Sequence, residues 1–244
     1  MNISDILLGA AIIIAAPAVN RVGEAKAQQI HPDQVVVDSP FVHDPVLAYE
    51  NGKYYLYSTG HGISQMTSAD RKHWTLCREG VLKNHEIPAW THDSVPGFHT
   101  HIWAPDVIHY RNKWYLAYSC STFGKNTSAI GLLSNTSLAN MNGWKDEGCI
   151  LASEGKRDNW NAIDPNFVID DKGNPWMTWG SFWDGIQLVK LDKKTMHVKK
   201  GAKPQTIARR HAFGDASAEP NPTSKFAGVN AIEAPFIMKH GGYY

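Results

Sequence analysis

Three acidic residues recur beside prolines in this chain: Asp44 in Val42-His43-Asp44-Pro45, Asp164 in Ala162-Ile163-Asp164-Pro165, and Glu233 in Ile232-Glu233-Ala234-Pro235. Each opens a short apolar run, so all three read as the same place in a repeat. Carboxylates gathered in one pocket can cleave a glycosidic bond. One, protonated, gives its proton to the leaving oxygen, and another draws a proton from water. Like charges crowded together raise the proton affinity of at least one of them, which keeps an acid protonated near neutral pH. A single Asp-Pro reads as no more than a strand-entry turn; the recurrence is what points to chemistry. Asp106, in Ala104-Pro105-Asp106, is displaced from this pattern and reads as a turn cap or a support for the site.

Residues so distant in sequence meet only if a repeated element delivers each to the same point. The element is a β-hairpin. Val46–Tyr49 and Tyr54–Tyr57 flank Asn51-Gly52, Val107–Tyr110 and Trp114–Tyr118 flank Arg111-Asn112-Lys113, and Phe167–Ile169 and Trp176–Trp179 flank Asp170–Asn174. A fourth copy begins at Ile232–Met238 and turns at His240-Gly241-Gly242. Apolar runs around Gly/Asn turns are hairpin chemistry. A polar hairpin follows each of the first three copies: Ile63–Ser68 with Trp74–Leu76, Ser128–Ser134 with a polar turn and Trp144, and Ile186–Leu191 with Met196-His197-Val198. Each unit is therefore four short strands. The acidic positions 44, 106, 164 and 233 lie 62, 58 and 69 residues apart. Four-stranded units at such intervals predict an all-β propeller, in which first strands line a central channel and their starting residues converge at one mouth. A β-sandwich of repeated hairpins is the alternative. Gln34–Asp38 reads as a further strand, able to close a ring by pairing with a distant unit. With three units and the start of a fourth ending at Tyr243-Tyr244, the pattern reads as a propeller cut short.

The 244 residues carry a formal net charge of +1 and 19% charged residues, which points to neither a nucleic acid nor a membrane surface as partner. Residues 1–27 read as a secretory signal peptide, with an apolar run at Ile6–Ala16 too short to span a bilayer and a small-x-small sequence at Ala25-Lys26-Ala27. That leaves 28–244 as the propeller domain of a secreted protein. Cys77, Cys120 and Cys149 form no C-x-x-C pair and leave room for one bridge and a free thiol.

Aromatic rings near the acids supply stacking faces for sugars. Trp103, Phe123, Trp160 and Trp183 are candidates, whereas Trp74 and Trp144 read as packing. Asn161 and Ser181 flank Asp164 and either bind sugar hydroxyls or make turn hydrogen bonds. His99 and His101 are a weak metal pair, and His101 reads as a pocket-lining donor. No metal ligand is assigned.

The segments around Asp44, His101–Asp106, Trp160–Pro165 and Ile232–Ile237 resemble the signature segments of glycoside hydrolase family 43. Ser121–Gly131 and Gly180-Ser181-Phe182-Trp183 resemble its endo-α-1,5-L-arabinanase branch, and the resemblance covers residues 41–244. It implies a five-bladed propeller, here truncated after three blades and the start of a fourth, and an inverting hydrolase of arabinan. By motif, Asp44 is the general base, Glu233 the general acid, and Asp164 the residue that tunes and orients that acid. Trp103 and Phe123 match sugar-contacting positions. Inversion implies carboxyls of base and acid about 6.5–9.5 Å apart. The resemblance also implies a central calcium whose histidine ligand would lie beyond Tyr244, and a monomer. Two rivals stand beside this reading: an exo-acting arabinofuranosidase or β-xylosidase on the same fold, and a non-catalytic carbohydrate-binding propeller.

Overall fold

The structure, a computed structural model, describes residues 34–83, 86–210 and 231–244; the expected leader at 1–27 lies outside them. It is built of three successive antiparallel sheets, each based on a four-stranded meander, with a fifth strand added to the first and to the second. The first contains β1 (Gln34–Val37), β2 (Val46–Glu50), β3 (Lys53–Ser58), β5 (Ser64–Ser68) and β6 (Trp74–Cys77), in the order β1-β6-β5-β3-β2. The second contains β7 (His101–Tyr110), β8 (Lys113–Ser121), β9 (Ser128–Asn135) and β10 (Lys145–Ser153). The short β4 (Gly60–His61) is added at the β7 edge. The third runs β11 (Asn166–Ile169), β12 (Pro175–Trp179), β13 (Ile186–Lys190) and β14 (Gln205–Ala208). One short helix, α1 (Trp90–Ser94), lies between the first and second sheets in the chain.

The hairpin expected around Asn51-Gly52 forms with both residues at positive φ (49° and 84°), the backbone that a two-residue turn needs to match strand twist. Residue alternation decides which neighbour each sheet meets. Along β8, Trp114, Leu116, Tyr118 and Cys120 pack toward the first sheet, while Tyr115 and Ala117 pack toward the third. A strand buried on both faces has no polar face to spend, and β8 reads as a nearly continuous apolar run for that reason. The first sheet sends Tyr55 and Tyr57 toward the second sheet and keeps Leu56, Met66 and Trp74 on its other face.

Two expectations about strands are corrected. The N-terminal strand β1 does not reach a distant unit; it pairs with β6 of its own sheet, Val37 opposite Trp74 and Gln34 opposite Cys77. The outer strand of the third sheet is not Met196–Val198, which forms only an isolated bridge from Val198 to Leu191. That stretch closes a tight turn in which the Asp192 N–H donates to the His197 carbonyl, and β14 takes the edge instead. All three cysteines are free thiols. No helix among the described residues is long and apolar enough to cross a membrane.

Candidate active site

The start of each repeat is shaped by an unusual backbone. Asp44, Ala104, Asp164 and Ala234 all lie at positive φ (50°, 38°, 58° and 51°), and each directly precedes a proline. Side chains rarely adopt this conformation, and holding it costs on the order of 1–3 kcal/mol per residue. Hydrogen bonds from the preceding repeat oppose that strain. The Ala104 N–H donates to Thr59 Oγ1 at 2.8 Å, the Asp164 N–H to Ser119 Oγ at 3.0 Å, and the Ala234 N–H to Asp164 Oδ2 at 3.2 Å.

These four positions set the true phase of the repeat at 44, 104, 164 and 234. Asp44 and Asp164 are equivalent, but Glu233 is not: it stands one residue earlier, in the place held by His43 and Trp103. The expectation that all three acids share one repeat position is corrected accordingly. The motif Glu-Ala-Pro aligns with Trp-Ala-Pro, not with His-Asp-Pro, because the strained residue is the one bonded to the proline.

The three acids nevertheless meet. Asp44, Asp164 and Glu233 line one cavity of about 850 Å³. Asp44 keeps its side chain about one-third exposed, and its Oδ2 accepts from Thr59 Oγ1 at 2.7 Å and pairs with His43 Nδ1 at 2.6 Å. Asp164 is half-buried and the most desolvated of the three. Burial, then the neighbouring Glu233, then Asp44, push its carboxyl up to about 7, against the Ala234 N–H that favours the charged form. Glu233 is exposed, and its Oε2 accepts from Ser181 Oγ at 2.9 Å. A bridge from Ser181 to Glu233 and the bond from the Phe182 N–H to the Ile232 carbonyl tie that segment to the end of β12. Crowding therefore raises a proton affinity as expected, and it does so at Asp164, the acid most withdrawn from water.

The other expected residues are also on the cavity wall. Trp103 and Phe123 meet edge to face, ring centroids 6.3 Å apart, and Phe123 is almost fully exposed at 89%. A bare ring of that size at a cavity mouth is available for stacking on a sugar face. His101 lines the cavity with His61 opposite it across β4 and β7; burial, then the charges of His61 and His43, hold its imidazole below the ordinary range. Asn161 lines the cavity while its Oδ1 accepts from Ser128 Oγ at 2.6 Å, and Ser181 donates to Glu233. Trp183 is buried on the wall. Trp160 is corrected to a core residue: it packs edge to face on Trp179, centroids 5.4 Å apart, inside the cluster between the second and third sheets.

Asp106 lies outside the cavity lining and is buried at 6% exposure. Its Oδ2 accepts the Phe167 N–H at 2.7 Å and Asn166 Nδ2 at 3.2 Å, and burial pushes its carboxyl up to about 7. It pins the third repeat to the second. Asn166, two residues after Asp164 as Asp106 is after Ala104, accepts the Ile237 N–H at 2.8 Å and does the same one repeat later.

Thr59, His43, Phe41 and Lys125 also belong to the cavity wall and were given no role from sequence. Thr59 has a counterpart in the second repeat: it directly follows β3, and Ser119 lies within β8. Among the described residues no group of three His, Cys, Asp or Glu side chains is set to hold a metal ion. The central calcium implied by the resemblance enters no step below.

The model of the glycosyl hydrolases family 43 matches residues 34–244. The chain belongs to this family. It is 40% identical over 206 residues to the Cellvibrio japonicus extracellular exo-alpha-(1->5)-L-arabinofuranosidase ArbA, covering 83% of this chain and 57% of that protein. It is 39% identical over 207 residues to the Bacillus subtilis extracellular endo-alpha-(1->5)-L-arabinanase 1, with the same coverage. Among solved structures, an exo-1,5-alpha-L-arabinanase from a bovine ruminal metagenomic library superposes with a TM-score of 0.72 at 50% identity, over 84% of this chain and 63% of that one. The family 43 chain described here thus spans a little over half the length of these curated relatives.

Proposed function

We propose that this family 43 chain carries the catalytic face of a secreted β-propeller glycosidase that cleaves α-1,5-linked L-arabinan with inversion. The observation that carries the reading is the meeting of Asp44, Asp164 and Glu233 in one cavity flanked by the Trp103 and Phe123 rings. Asp44, held on one oxygen by two donors, is the base that draws a proton from the attacking water. Glu233, exposed and fixed by Ser181, is the acid that protonates the departing sugar oxygen. Asp164 sits between fold and chemistry. Its carboxyl steadies the Ala234 N–H next to the acid, and its proximity to Glu233 favours the protonated form of the pair. The relatives' names support arabinan as substrate and an extracellular location, and the family resemblance implies a five-bladed ring.

Hydrolysis of linear α-1,5-arabinan, with reducing ends counted and products sized, tests this reading. Early release of a ladder of oligomers is the expected result. Release of one short product from the start supports the second reading, an exo-acting enzyme, which the names of the Cellvibrio and ruminal relatives favour. No cleavage of any arabinan defeats both.

A further inference from the structure

We propose that Thr59 is a positioning residue for the reaction: its hydroxyl locks one oxygen of Asp44 and leaves the other for the attacking water. The inference rests on Asp44 acting as base. Thr59 stands immediately after β3, its N–H donating to the His43 carbonyl at 3.0 Å. Its hydroxyl has one proton. Because Thr59 Oγ1 accepts the Ala104 N–H, that contact uses a lone pair, and the hydroxyl proton goes to Asp44 Oδ2. The rotor is thus fixed by the neighbouring repeat. With His43 Nδ1 on the same oxygen, every hydrogen bond that Asp44 makes among the described residues falls on Oδ2. Oδ1 is left as the oxygen that can receive a proton.

The second repeat isolates this role. Ser119 occupies the matching place and latches the Asp164 N–H, but its own repeat carries Ala104 where the first carries Asp44. The latch serves the fold in both repeats, and only in the first is it coupled to a carboxylate. Asp44 is faced by His43 from its own segment, by His101 with His61 behind it from β7 and β4, by Asp164 from the third repeat, and by Glu233 from the last segment. A neutral hydroxyl adds orientation there without adding charge.

The test compares Thr59→Val with Thr59→Ser. The valine keeps the shape and removes the hydroxyl; the serine restores it. T59V is expected to lower kcat on linear arabinan about 10–100-fold, the scale of a misplaced reacting group, with KM little changed. The acidic limb of its pH–rate profile should move to higher pH, because a donor to the charged form is lost. T59S should behave as wild type in both. Ser119→Ala, which loses an equivalent latch, gives the size of the purely structural effect on Tm. A T59V enzyme with wild-type kcat and an unmoved limb overturns the proposal, as does a loss that serine fails to restore.

The side-chain carboxyl 13C signal of Asp44 at one fixed pH reads the same contact without substrate. Its chemical shift should change in T59V and not in T59S, and an unchanged shift overturns the proposal. This second readout separates the two readings: a wild-type chain that cleaves no arabinan defeats the substrate assignment, while the carboxyl signal still decides Thr59. If T59V does not fold, Thr59→Cys, nearly as large and only a weak donor, takes its place. A cysteine variant equal to wild type then overturns the proposal.

Discussion

The junction between the first and second repeats and the junction between the third repeat and the last segment solve one problem with different groups. Both must hold a strained residue before a proline, Ala104 in one and Ala234 in the other. The first junction uses the Thr59 hydroxyl. The last has no hydroxyl to use, because Gly180 stands where Thr59 and Ser119 stand in their repeats. Its φ of 132° disfavours any side chain, and an added Cβ would run into the carbonyl of Gly185. The carboxylate of Asp164 takes over the latch. Where a hydroxyl carries the seam, the repeat's carboxylate (Asp44) keeps an oxygen for chemistry. Where it is missing, the carboxylate is committed to the backbone beside Glu233 and becomes the residue that orients the acid.

That contrast breaks most visibly at the two acids assigned to proton transfer. Asp44→Ala and Glu233→Ala are each expected to lower kcat on linear arabinan by about 10²–10⁴-fold while melting close to wild type, since neither side chain accepts a latch from the next repeat. Substantial residual turnover in a folded variant removes that residue from its role.

Asp164 should respond differently to two substitutions, and the difference sharpens the comparison. Asp164→Ala removes both charge and latch, and should lower kcat about 10²-fold together with a reduced Tm. Asp164→Asn keeps an acceptor for the Ala234 N–H and loses only the charge. Its kcat should fall about tenfold, with Tm near wild type. The alkaline limb of its pH–rate profile should move to lower pH, because the coupled pair of carboxyls loses one of the two negative charges that favour its proton. Identical behaviour of the two variants would mean the latch contributes nothing.

The smallest effect is expected at Asp106, a seam carboxylate remote from the cavity. Asp106→Ala leaves the Phe167 N–H and the Asn166 amide without their acceptor, a loss of about 1–3 kcal/mol. Asp106→Asn keeps an acceptor and removes the titration. The folded-state value of Asp106, about 7, lies above that of an unfolded aspartate. The folded state therefore binds the extra proton between roughly pH 4 and 7, and the stability this gives at low pH is lost as pH rises through 7. Relative to wild type, D106N should gain in Tm as the pH goes from 5 to 8. A constant difference across that range would show that Asp106 does not titrate there.

Much of this was legible in the sequence, for identifiable reasons. Hairpins announce themselves through Gly/Asn turns between aromatic runs, so strands β2, β3 and β5 through β13 overlap or adjoin the expected runs, while the two-residue β4 had no such signal. The acids were legible because an Asp-Pro or Glu-Ala-Pro opening a strand is a conspicuous signal. The phase was misread by one residue at Glu233 because the acids, not the prolines, were taken as the fixed point. Trp160 was misassigned because a tryptophan beside an acid has the same sequence signature whether it faces a sugar or, as here, Trp179. Thr59 and Ser119 were silent because a hydroxyl in or just after a strand is ordinary β composition. Only the register between repeats reveals that each bonds to an amide about 45 residues later.

The pairing of β1 with β6 carries a kinetic consequence. The first sheet draws all five of its strands from Gln34–Cys77, so every partner it needs lies within that one segment, with β1 and β6 as its two ends. Contacts of short sequence separation form early and cost little loop entropy. During synthesis this sheet can be complete before the second repeat has been made, its outer edge already covered by β1. It then stands as a preformed template, with the Thr59 hydroxyl waiting for the Ala104 amide, against which the next repeat can dock in register.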